Sequence, residues 1–165
     1  MDELRTAAGV SLKRLYSLFP AKSDIIAAVL QRRHEQWDSA LSAAVSAAGP
    51  EPRARLLAVY GYLEQWFCVS DFRGCAFINA FGELGGTSPE VAGIFRAHKA
   101  SFQEYMAELV AEIGAPSSPA VQLSVLAEGA QSTAAIFADP RVAVQARRAA
   151  EVLIDAAMAT AGTRP

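Results

Sequence analysis

Apolar residues recur along this chain at spacings of three and four, the period of helices that turn one face inward. Leu56, Tyr60, Leu63 and Phe67 form one such stripe, and Ile26, Leu30, Trp37, Leu41 and Val45 a longer one. A third carries Ile94, His98, Phe102, Tyr105, Met106, Leu109 and Ile113. Residues that stop helices stand between the stripes. Gly9 ends a short helix over about 2–8, and Ser11 can N-cap a second one to about Leu18. Phe19-Pro20 stops that helix, because the residue before a proline is pushed out of the α region. Breaks at 48–52 (AGPEP), 70–74 (SDFRG), Gly85-Gly86, 115–119 (APSSP) and Asp139-Pro140 follow. They predict helices over about 21–47, 53–69, 75–84, 88–113, 119–138 and 141–161, with Ser88 capping the fourth of these and Pro89 at its first position. No strand alternation and no internal repeat interrupts the pattern. The fold class is all-α.

The last two helices have a distinct texture. One sets Ala127, Ala130 and Ala134 on a stripe with Leu123, Leu126 and Phe137; the other offers Ala149, Leu153 and Ala156. Small residues at helical spacing let helices approach closely. The pair is apolar on more than one face, so Ala127, Ala130, Ala134, Ala149, Leu153 and Ala156 are expected at a subunit interface, with two-fold symmetry the commonest solution.

Composition adds three points. With 165 residues and 52% hydrophobic positions, the chain can bury a sizeable core. The net charge of −2 hides an asymmetry: residues 1–34 carry six basic side chains against three acidic ones, leaving −5 for the remainder. A basic head on an acidic body points to an anionic partner at one end only. Cys68 and Cys75 are too few for a disulfide scaffold and are expected as half-buried thiols in a reducing cytoplasm. No signal peptide and no run of about 20 apolar residues is present, so a cytoplasmic location without membrane insertion is expected.

The candidate chemistry lies in two places. Phe67, Phe77, Phe81, Phe102 and Tyr105, with Trp66, fall on stripes that can converge between the helices at 53–69, 75–84 and 88–113. They could pack as plain core or line an apolar cavity, with Asn79, Glu83 and His98 as polar anchors. His34 and His98 have no cysteine or histidine partner at ligand spacing, so neither a metal nor a cofactor is expected.

The second place is the head. Two short helices joined by AGVS at 8–11 form a helix-turn-helix, in which Gly9 permits the turn and Val10 plugs the angle. Its second helix would lie in a major groove. Ser11, Leu12, Lys13 and Arg14 open that helix, where Lys13 and Arg14 would reach base edges. Tyr16 and Lys22 offer a hydroxyl and an ammonium to phosphate oxygens, which fix register.

The stretch AAGVSLKRLYSLFPAKSDIIAAVL at 7–30 resembles the DNA-binding domain of the tetracycline-repressor (TetR) family of bacterial regulators. Ala8-Gly9-Val10-Ser11, Leu15-Tyr16, Phe19, Lys22, Ile26 and Leu30 carry the resemblance, and GCAFINAFGELG at 74–85 looks like a segment of one branch. It implies a fourth helix linking the head to a helical ligand-binding domain, and two C-terminal helices that pair with a second subunit. Leu18 and Arg14 depart from the family pattern, where a polar residue or His and a small hydroxyl residue are usual.

The family's first helix and basic arm are not seen ahead of Met1. A truncation, or a start displaced to a GTG valine codon, would each give this opening. On that reading Leu4, Val10, Leu15 and Phe19 are partly uncovered, each forfeiting about 1.5–3 kcal/mol relative to full burial. This form is then expected to bind DNA weakly or not at all.

The expected organisation is a partial helix-turn-helix domain at 1–36 and a ligand-binding and dimerisation bundle at 37–165. The expected function is a ligand-responsive transcriptional regulator, a repressor released by a small apolar or amphipathic molecule. Its partners would be a second copy, the effector and, with the missing helix supplied, operator DNA. A ligand-binding dimer that no longer holds DNA is the alternative. An enzyme using Glu83 or Glu128 as a base is the poorest, since no nucleophile–base arrangement is visible.

Overall fold

The computed structural model describes residues 2–85 and 89–161. Eight helices follow one another: α1 Asp2–Ala8, α2 Leu12–Leu18, α3 Lys22–Ala47, α4 Pro52–Phe67, α5 Ala76–Leu84, α6 Pro89–Glu112, α7 Ser118–Phe137 and α8 Val142–Ala161. Among the described residues there is no strand. The fold is all-α, and each helix lies within a few residues of its predicted range.

Local chemistry explains the boundaries. Ser11 has extended backbone, and its hydroxyl accepts from the Arg14 amide at 3.2 Å, which starts α2. Gly9, at φ 65°, supplies the left-handed turn ahead of it. At the start of α3 the Asp24 carboxylate accepts from the Ala21 amide at 2.7 Å. Glu51 caps α4 by accepting from the amides of Arg53 and Ala54. The Ser88 cap expected for α6 lies outside the described residues. Ala138 closes α7 in the left-handed region at φ 50°, just before Asp139-Pro140.

The main core gathers Leu41, Val45, Leu56, Tyr60, Leu63, Met106, Leu109, Leu123 and Ile154 from α3, α4, α6, α7 and α8. Tyr60 crosses it, donating its phenol to the Leu123 carbonyl at 2.8 Å, and burial holds that phenol well above its ordinary pKa. A second, smaller cluster of Leu30, Cys75, Phe77, Val91 and Phe95 joins the first half of α3 to α5 and α6. The cysteines differ from expectation: Cys75 is buried in this cluster, whereas Cys68 at the end of α4 is exposed.

α3 runs unbroken past residues 36 and 37, so it belongs to both the head and the bundle. The head itself is thin. α1 buries no residue and α2 buries Leu15 alone. Leu4, Leu12 and Leu18 are exposed, while Val10 and Phe19 are half-buried. Leu15 is therefore better covered than the sequence suggests. No described helix is long and apolar enough to cross a membrane.

Candidate nucleic-acid interface and ligand pocket

The opening turn of α2 presents Leu12, Lys13 and Arg14 to solvent, with Tyr16 exposed one turn on. Ser11 is spent as the cap, so its hydroxyl fixes the helix start before it can meet a ligand. Lys22 is the first residue of α3 and also exposed. Among the described residues none of Lys13, Arg14 and Lys22 forms an ion pair with a carboxylate. Free cations at the start of a helix after a tight turn suit the edge of a polyanion.

A cavity of about 360 Å³ opens between α3, α4, the 69–75 loop, α5 and the side of α6 that carries His98. Trp37 comes from α3, Tyr62 and Trp66 from α4, Phe72 and Arg73 from the loop, and Phe77 and Asn79 from α5. The loop is held over the cavity at two points. Gly74 adopts φ 83°, and a Cβ there would come within 3.1 Å of the Ala135 side chain on α7. Asn79 donates its side-chain amide to the Arg73 carbonyl at 2.8 Å. Its role here is to pin the loop.

His98 is the buried polar group of this wall. Its ring stacks on Phe77 at 3.6 Å, and Trp37 meets it edge-on at 5.4 Å. Its Nδ1 lies 3.0 Å from Nδ1 of His34 on α3. One of these nitrogens donates and the other accepts, so at least one ring is neutral. Burial, with smaller contributions from Lys99 and His34, lowers the His98 pKa from 6.5 to about 3. His98 is therefore the neutral partner at physiological pH. The two histidines that lacked a partner along the chain are thus partners in space. No described group of three or more His, Cys, Asp or Glu could hold a metal ion.

The structure redistributes the pocket residues expected from sequence. Phe77, Asn79 and His98 line the cavity. Phe67 packs in the main core behind it, with Phe72 at 4.7 Å, and Phe102 is buried there against Trp37 at 5.1 Å. Tyr105 is half-buried against the core, away from the cavity. Phe81 is exposed on a separate cleft of about 240 Å³, and Glu83 is exposed outside both. Sequence reasoning missed Trp37, Tyr62, Phe72, Arg33 and Arg73. The available signal was an aromatic and two charges inside the helix-breaking segment SDFRG.

The expected dimer residues also divide. Ala127, Ala130 and Ala134 face the chain's own core and cannot meet a partner. Leu153 is half-buried against the same core, while Ala149 and Ala156 are exposed. The outward stripe of α7 is instead Val121, Val125 and Ile136, and on α8 Val152 stands between Ala149 and Ala156.

The architecture is thus a helix-turn-helix feeding one long helix into a helical bundle with an aromatic cavity. Two crystal structures share it. SCO4454, a TetR-family transcriptional regulator from Streptomyces coelicolor, superposes with a TM-score of 0.88 at 26% identity, covering 95% of this chain and 78% of that one. A TetR-type transcriptional regulator from Streptomyces avermitilis (sav143) gives 0.79 at 28% identity, covering 95% and 86%. No family profile and no curated relative matches the chain. In fold and helix order the chain is similar to these TetR-family transcriptional regulators.

Proposed function

We propose that this regulator is a ligand-responsive repressor that grips operator DNA as a homodimer through α2 and releases it when the aromatic cavity is filled. The observation that carries the reading is the continuity of α3. The same helix holds Lys22 at the head, Trp37 at the cavity wall and His34, which is hydrogen-bonded to the wall residue His98. A dimer would set its two α2 helices in successive major grooves, about 34–36 Å apart. A ligand that favours a different tilt of α3 favours mis-spaced heads and lowers DNA affinity by that difference.

Lys13 and Arg14 are the base-reading candidates, and Tyr16 and Lys22 the phosphate contacts. The exposed stripes of α7 and α8 supply the dimer face, and the cytoplasm is the compartment this role requires.

A second reading is favoured by the thin head: α1 buries nothing, and Leu4, Leu12 and Leu18 are exposed. On it, the chain is a ligand-binding dimer without operator affinity. Titrating the chain against a labelled duplex from its own upstream region separates the two. Saturable, salt-sensitive binding supports the repressor, and its absence at micromolar protein supports the second reading.

A further inference from the structure

We propose that the cavity takes a planar aromatic anion of one or two fused rings, a carboxylate of the benzoate or naphthoate class. This rests on reading the cavity as the effector site and goes further by fixing the occupant's shape and charge.

The shape follows from the walls. Trp37, Trp66, Phe72 and Phe77 enter from four separate segments, and Trp66 meets Phe72 edge-on at 5.1 Å. Flat faces and edges on several sides favour a flat occupant, since aromatic pairs prefer offset stacks or T-shaped contacts. The volume of about 360 Å³ is near the lower end of the roughly 300–1,000 Å³ typical of ligand sites. That admits one or two rings and leaves little room for a long chain.

The charge follows from the arginines. Arg33 and Arg73 both line the cavity, against a single carboxylate, Asp71. Five other arginines (Arg5, Arg53, Arg55, Arg141 and Arg147) form ion pairs, whereas Arg33 and Arg73 form none among the described residues. Arg73 is also oriented in advance. Its Nη1 donates to the Phe72 carbonyl at 2.7 Å and to the Ser70 carbonyl at 3.4 Å, leaving its remaining N–H groups for another acceptor. A guanidinium fork of this kind matches a carboxylate and not an ammonium. An aromatic cage closed by an acidic group would instead favour a cation. Two unpaired arginines outweigh Asp71, so the anion is preferred.

The chain's only two tryptophans, Trp37 and Trp66, both line the cavity, which gives a direct readout. The experiment titrates the full chain with 2-naphthoate, 2-naphthamide and 2-naphthyl-trimethylammonium while following tryptophan fluorescence. Naphthoate should quench saturably and bind roughly tenfold tighter than the other two, the worth of one hydrogen bond to a charged group. Arg33→Gln and Arg73→Gln, both at exposed positions, should each weaken naphthoate several-fold and the amide by less. Equal binding of acid and amide, tighter binding of the cation, or no response to any of the three overturns the anion. In the first two outcomes the cavity reading survives. It falls only when a broad set of apolar compounds also leaves both tryptophans unchanged.

Discussion

The Nδ1 atoms of His34 and His98 lie 3.0 Å apart, so the wall of the aromatic cavity is hydrogen-bonded to the helix that carries the head. Burial keeps His98 neutral in the fold, with a pKa of about 3 against 6.5 for a free side chain. The unfolded chain therefore takes up a proton at this residue as pH falls below 6.5, while the folded chain does not. His98 contributes nothing to pH dependence above that point and costs about 1.4 kcal/mol of stability per pH unit below it. Urea unfolding at pH 6.5 and pH 5 should show a loss of about 2 kcal/mol that His98→Gln removes. Parallel stability curves for the two proteins would place His98 in a wetter setting than this one.

Phe102 tests whether the core behind the cavity is filled. It is 3% exposed and lies against Trp37. Phe102→Ala should cost about 3–5 kcal/mol in chemical denaturation, the range for aromatic truncation in a packed core. A cost near 1 kcal/mol would mean that the cavity extends past Trp37.

Where sequence reasoning succeeded, the information was local. Gly9, Pro20, the AGPEP break and Asp139-Pro140 each constrain the backbone at their own position, so helix ends were readable to within a few residues. The head was readable for the same reason, because Ala8 to Lys22 is a contiguous unit. The cavity was readable only in part. Trp37 on α3 and Phe72 in a loop become neighbours of Phe77 through helix crossings that no periodicity encodes. His34 and His98 are 64 positions apart and gave no sign of pairing. The dimer stripe failed differently. Alanine suits a tight internal contact as well as a subunit contact, so Ala127, Ala130 and Ala134 could not declare which face they occupied.

The proposed dimer face lies instead on the outward stripes of α7 and α8. Ile136 is 78% exposed and Val152 69%, apolar surface that a second subunit would cover. Val152→Glu and Val125→Glu should convert a dimer into monomers in sedimentation velocity while leaving the helix content unchanged. A dimer that persists in both variants would place the interface elsewhere.

Base reading and backbone anchoring separate Arg14 from Lys22. Arg14→Ala should relax preference at one or two operator positions, each bidentate contact being worth about 1–3 kcal/mol of discrimination. Lys22→Ala should lower affinity alike for every sequence and reduce the salt slope by about one. Selection of bound sequences from a randomised duplex pool reads both effects. A uniform loss with Arg14→Ala would move that residue to the phosphate class.

On the repressor reading the α2 surface holds DNA. Fluorescence anisotropy of a labelled duplex from the gene's own upstream region, titrated with the chain and with its Lys13→Ala/Arg14→Ala variant, tests it most directly. Saturable binding by the chain that weakens steeply with salt, and falls at least tenfold in the variant, is the expected result. Identical curves for the two proteins, or no binding by either, would contradict it.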